Sequence, residues 1–146
     1  MVNERKSSPA GNLQLARVLL AGDDPAARLT LQTVLEAGGY RVDSAASAAE
    51  AVGKMDEREY ALVLSDMDME YPESGLRVIA HARMMDYKPA TAVVKTESNA
   101  PEGRSNRDML VSPEGLPEFL SQVATLISQR ATKRLAREMR QQAALG

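Results

Sequence analysis

Short apolar runs alternate along this chain with stretches in which apolar residues return every three or four positions. The run "ARVLLAG" (16–22) reads as a buried strand, and Asp23 and Asp24 follow it directly. Pro25 suits the first turn of a helix, and Leu29, Leu31, Val34 and Leu35 recur at helical spacing until Gly38 and Gly39 stop it. "YRVDSA" (40–45) alternates like a strand, and Ser47 with Glu50 forms a capping-box pattern for a helix through Glu57. "YALVLSD" (60–66) is a continuous apolar run of the kind buried on both faces. A helical period carries Leu76, Ile79, Ala80, Arg83 and Met84 through a helix from Gly75 to Asp86, Pro89 resets the chain, and "ATAVVKT" (90–96) gives a fourth strand. "RDMLVSP" (107–113) gives a fifth. From Pro117 onward Phe119, Leu120, Val123, Ile127, Ala131, Leu135 and Met139 predict one helix running past the end of the sheet.

Strands alternating with helices in this way specify an α/β fold with a doubly wound, five-stranded parallel sheet and an extended C-terminal helix. The polar first 14 residues carry no core pattern and read as a disordered tail. Residues 15–128 form the domain, and 129–146 form a basic helical extension or linker. At 146 residues the chain has the size of one domain able to close its own core.

Composition narrows the chemistry. With no Cys and His81 as the single histidine, thiolate metal sites, Cys nucleophiles and a Ser-His-Asp triad are not expected, so any chemistry falls to carboxylates. No apolar run approaches the roughly 20 residues that cross a bilayer, and no secretory signal is visible, so the expectation is a cytoplasmic protein without membrane contact. The formal net charge of −2 conceals an asymmetry. Residues 128–146 carry five cations (Arg130, Lys133, Arg134, Arg137 and Arg140) against Glu138 alone, so the body is strongly acidic and the tail basic. A solvated helix face explains that basic tail best, because a nucleic-acid surface calls for interleaved aromatics and the tail has none.

In a doubly wound sheet, functional groups collect beyond the carboxyl ends of the strands. Asp23 and Asp24 follow the first strand, Asp66 ends the third and Thr96 the fourth, so the fold would gather them at one crevice. Three carboxylates and a backbone carbonyl make a hard oxygen site suited to Mg²⁺. A carboxylate can serve as the nucleophile in phosphoryl transfer, with a hydroxyl such as that of Thr96 contacting the transferred group.

These residues resemble the receiver domains of two-component response regulators, over roughly residues 16 to 127. The resemblance is carried by "VLLAGDD", by "YALVLSDMDM" with Met69 three residues after Asp66, by Gly75 opening the third helix and by Thr96 ending the fourth strand. It implies the receiver (flavodoxin-like) fold, phosphorylation of Asp66, Mg²⁺ held by Asp23, Asp24, Asp66 and the Asp68 carbonyl, and Thr96 as the switch hydroxyl. It also implies a sensor histidine kinase or phosphotransfer protein as partner and a signalling role rather than an enzymatic one. An output domain after residue 146 and a homodimer through the C-terminal helix are further expectations.

The chain departs from the pattern. Ser112-Pro113 stands where the family has Lys-Pro, Met109 occupies the aromatic switch position, and Glu97 follows the switch Thr where a small residue is usual. The segment from Glu97 to Asp108 is short and polar, so the helix after the fourth strand is expected to be reduced or missing. Two alternatives follow. One is a pseudo-receiver, an interaction module that is not phosphorylated. The other is a haloacid-dehalogenase-like phosphatase using Asp66 and Asp68 as its D-x-D pair. Each candidate also has a plain structural reading: Asp23 and Asp24 as a helix cap, Thr96 as a strand-end residue, His81 as a surface residue and the eight Met as core filler.

Overall fold

The computed structural model describes residues 16–66, 69, 71, 73–96, 109–111 and 116–145. Five parallel strands, β1 (Arg17–Ala21), β2 (Arg41–Ala45), β3 (Leu62–Asp66), β4 (Ala90–Thr96) and β5 (Met109–Val111), form one sheet in the order β2-β1-β3-β4-β5. The helices among the described residues are α1 (Pro25–Ala37), α2 (Ala48–Glu57), α3 (Ser74–Met84) and α4 (Leu116–Leu145). The order reverses beside β1, so the chain winds outward in both directions and leaves a crevice where β1 and β3 end.

Alternation along the strands divides the core between two faces. Val18, Leu20, Leu62, Leu64, Ala92 and Val94 meet Leu35 of α1 and Phe119 and Val123 of α4 on one side. Leu19, Ala21 and Val63 meet Ala48, Ala51 and Met55 of α2 and Val78 and Ala82 of α3 on the other. The central strands read as unbroken apolar runs because both faces of each are covered.

Local chemistry sets the helix ends. Asp24 caps α1, its carboxylate accepting from the Ala26 amide at 3.1 Å, and Pro25 occupies the first turn, where no amide donor is needed. After α1, Gly39 takes φ 101°, a left-handed conformation that glycine adopts at little cost. A Cβ on Gly38 would lie 3.1 Å from Leu120 Cδ2, so the missing side chain lets α4 approach the end of α1. Ser47 caps α2, its Oγ accepting from Glu50 N, and Glu50 Oε1 reaches back one residue past the cap to accept from Ala46 N.

Some side chains depart from the sequence expectation. Leu29 is 63% exposed and Leu76 and Met84 also face outward, because the strips of α1 and α3 that meet the sheet are drawn by Leu31, Val34 and Leu35 and by Val78, Ile79 and Ala82. His81 is half-buried, with Nε2 2.9 Å from Asp56 Oδ1, and joins α3 to α2 instead of standing free on the surface. The apolar seam of α4 divides: Phe119 and Val123 are buried, whereas Leu135 and Met139 are exposed. The helix after the fourth strand, expected to be reduced, falls in 97–108, outside the described residues, as do Glu97 and Ser112.

Candidate functional site

Asp66 is the last residue of β3 and pairs with Val94 in the neighbouring strand. The strand carries it to the crevice with its side chain on the face shared by α1 and α4, since Leu62 and Leu64, four and two residues earlier, pack there. Behind it, Ser65 Oγ donates to the Asp66 carbonyl at 3.1 Å and to the sulfur of buried Met69 at 3.4 Å. Met69 belongs to the opposite core layer, with Ala21, Val63 and Val78. Gly22 lies alongside, and a Cβ placed on it would meet Asp66 Cβ at 3.7 Å.

A small pocket of about 30 Å³ sits at this point, and Asp24, Arg28, Gly22 and Asp66 all line it. Room for one or two waters is its scale. Arg28 projects from the first turn of α1 and donates through its guanidinium to the Gly22 carbonyl. It therefore brings a fixed positive charge to the pocket that Asp66 lines. Nothing in the strand-and-helix pattern singled out Arg28; the available signal was its position four residues after Asp24, one helical turn along the same side of α1.

The three acids are gathered only in part. Asp24 and Asp66 share the pocket, whereas Asp23 is exposed and does not line it. Among the described residues no group of three or more Asp, Glu, His or Cys stands close enough to hold a metal ion. The divergence is local: Asp24 has extended backbone (φ −90°, ψ 110°), so neighbouring side chains point apart, and its carboxylate is engaged as the cap of α1. Mg²⁺ commonly takes one or two carboxylates and keeps several waters, and the hard oxygens of Asp24 and Asp66 fit that smaller requirement. Thr96 ends β4, two residues beyond the partner of Asp66, and pairs through its backbone register with Val111. Asp68 lies outside the described residues.

The architecture has clear relatives. NtrX from Brucella abortus, in a structure in complex with ADP, superposes with a TM-score of 0.75 at 16% identity over 88% of this chain, which spans only 30% of that longer protein. The receiver domain of a sensor histidine kinase from Pseudomonas aeruginosa, with a magnesium ion coordinated in the active site cleft, gives 0.64 at 21% identity, covering 77% of this chain and 98% of its own. The response regulator TrrA from Thermotoga maritima, in complex with Mg²⁺ and BeF, gives 0.60 at 24% identity, covering 77% and 99%. Comparison with curated proteins finds no match. The sequence profile of the response regulator receiver domain matches residues 18–106, from the first strand through the acid pair, Asp66 and Thr96, and by that match the chain belongs to the response regulator receiver domain family.

Proposed function

We propose that this receiver domain accepts a phosphoryl group on Asp66 from a histidine kinase or a phosphotransfer protein, and acts as a signalling module of the cytoplasm rather than as an enzyme with a turnover of its own. The observation that carries the reading is the pocket in which Asp66, Asp24 and Arg28 meet at the carboxyl end of β3. A carboxylate oxygen of Asp66 attacks phosphorus, an O–P bond forms, and the P–N bond of a phosphohistidine donor breaks with its electron pair leaving on the imidazole. Asp24 and Asp66, with Asp23 next in sequence and the Asp68 carbonyl as the family suggests, are the groups to hold Mg²⁺, and the receiver domain from Pseudomonas aeruginosa has a magnesium ion coordinated in its active site cleft. When bound, that ion offsets the charge between carboxylate and phosphoryl oxygens and steadies the transfer. Arg28 supplies a second positive charge from the chain itself, and the sequence has Ser112 rather than a lysine after the fifth strand. Thr96, the last residue of β4, is the hydroxyl we assign to the phosphoryl contact, on the family resemblance.

A second reading has its own support. The missing ammonium at Ser112 and the separation of Asp23 from the pocket favour a pseudo-receiver that binds partners without cycling phosphate. We also propose that Leu135 and Met139, exposed one turn apart on α4, form the apolar pair through which a second copy of the chain docks.

Intact mass after incubation with Mg²⁺ and acetyl phosphate, run beside Asp66→Asn, separates these readings. A stable phosphoryl adduct present only with Asp66 is the expected result. A folded protein without adduct selects the pseudo-receiver. Transient labelling with continuous phosphate release selects a phosphatase using Asp66 and Asp68.

A further inference from the structure

A second cavity lies at the far end of β4 from Asp66, beside Pro89 and Ala90, and has a volume of about 450 Å³. That is the size of a small-molecule site, which typically spans roughly 300–1,000 Å³. Five cations line it, Arg83, Lys88, Arg130, Lys133 and Arg137, and no carboxylate does.

The charges converge from two walls. Arg83 belongs to the last turn of α3 and Lys88 to the turn after it, whereas Arg130, Lys133 and Arg137 recur at intervals of three and four along one strip of α4. The walls are fastened together: Arg130 donates from Nε to the Lys88 carbonyl at 3.0 Å and from its terminal nitrogen to the Tyr87 carbonyl at 2.8 Å. Lys88 holds an uncommon left-handed backbone (φ 46°) and reaches back to donate from Nζ to the Arg83 carbonyl at 3.2 Å. Both anchoring cations thus spend donors on main-chain oxygens and keep their charge in the cleft. Burial first, and then the Arg134 charge, push the Arg130 guanidinium below its ordinary value; Glu59 opposes this, Arg137 adds to it and Tyr87 opposes it. No carboxylate among the lining residues offsets the five cations within the cleft itself.

We propose that this cleft binds a compact small-molecule anion carrying two or more linked phosphate groups. Five converging cations over-match a single phosphate and suit an anion of three or four charges. Opposed walls around a concavity favour a compact ligand over a nucleic-acid duplex, which engages cations spread across an open face. The site is separate from Asp66 and does not depend on phosphorylation there.

The test is titration calorimetry of the full chain, without Mg²⁺, using tripolyphosphate, pyrophosphate and orthophosphate in turn. Saturable binding of one tripolyphosphate per chain is expected, at least about tenfold tighter than orthophosphate. Arg83→Ala and Lys133→Ala each should weaken it roughly fivefold, the scale of one partly exposed charge contact. Arg77→Ala, an exposed cation of α3 that does not line the cleft, should leave affinity unchanged, as should Asp66→Asn. Absent or non-saturable binding overturns the proposal, as does equal weakening by Arg77→Ala. A duplex DNA oligonucleotide that binds more tightly than tripolyphosphate at the same salt overturns it in favour of a nucleic-acid surface.

Discussion

Arg130 on α4 donates to the Tyr87 carbonyl at 2.8 Å, tying the middle of the last helix to the turn that feeds β4. Upstream of that bond the helix is held by Phe119 and Val123, both fully buried; downstream nearly every residue is exposed. Among the described residues the guanidinium bonds are therefore the last hydrogen bonds of α4 to the body, about half way from the buried phenylalanine to the exposed Met139 strip. The planar fork of arginine spans two adjacent carbonyls, which an ammonium cannot reproduce.

Arg130→Ala should lower unfolding free energy by about 1–2 kcal/mol, the scale of a charge-assisted hydrogen-bond pair at a half-buried site. Hydrogen exchange should quicken from 131 to 145 while β1 and β3 keep their protection. Arg130→Lys should recover less than half of the loss. Urea unfolding with exchange mass spectrometry reads both, and unchanged exchange in 131–145 would show that the arginine does not seat the helix.

Arg28 supports a prediction about the phosphoryl site. If its charge helps hold the incoming group beside Asp66, Arg28→Ala should slow labelling by acetyl phosphate several-fold, and Arg28→Lys should restore part of the rate. Asp66→Asn should abolish labelling outright. The guanidinium also bonds Gly22 O, so circular dichroism must first show that Arg28→Ala keeps the fold. Equal labelling rates for Arg28→Ala and the parent chain would remove Arg28 from the site.

The sheet strands were legible because both-face burial writes itself as continuous apolar runs: Leu62 to Leu64 and Val18 to Leu20 have no polar interruption. The caps were legible for a similar reason, since Ser47 with Glu50 and Asp24 before Pro25 are local devices. Partner choice across the chain was not legible. Leu29 and Met84 fit a helical period, yet the strip facing the sheet passes them by, and periodicity alone cannot rank two adjoining strips. The site shows the same limit. Asp66 at a strand end was readable, whereas the divergence of Asp23 from Asp24 follows from one residue's backbone angles, and the approach of Arg28 follows from packing. The basic cleft joins 83 and 88 to 130, 133 and 137, and a charge run read along the chain shows only one of its walls.

Alkaline pH should destabilise the fold through its tyrosines. Burial, then the nearby Asp56 and Glu59, push the Tyr87 hydroxyl up to about 12. Tyr60 is raised further, by burial first and then by its 2.7 Å bond to Asp43, and Tyr40 is raised by burial. A folded-state value above the unfolded one, near 10, means that the neutral form is favoured in the native state. The stability this contributes is complete below pH about 10 and is lost as pH rises from there through the folded values. Urea midpoints should therefore be level from pH 8 to 9.5 and fall between 10 and 12. Tyr87→Phe should be weaker at pH 8, having lost the bond to the Met55 carbonyl, but should show a shallower alkaline decline. Parallel declines in the two proteins would assign the alkaline loss to other groups.

Lys88 separates stability from binding. Its backbone φ of 46° is left-handed, and it precedes Pro89, a position at which helical conformations are crowded. Hydrogen bonds fix it there: its amide donates to the Met85 carbonyl at 3.0 Å, and its carbonyl accepts from Arg130. Glycine adopts this conformation without a Cβ conflict, so Lys88→Gly should relieve strain worth about 1 kcal/mol, offset in part by the greater freedom of glycine in the unfolded chain. The lost bond from Nζ to the Arg83 carbonyl is exposed and contributes little. The expected outcome is a stability equal to the parent or up to about 1 kcal/mol higher, with roughly fivefold weaker tripolyphosphate binding from the loss of one cleft cation. Lys88→Ala serves as the counterpart: it removes the same charge and keeps the strain, so it should match the glycine variant in binding and fall below it in stability. Denaturation and calorimetry on the same two proteins decide the matter. If both variants bind tripolyphosphate as the parent does, Lys88 is a turn residue that lines the cleft without contributing to binding.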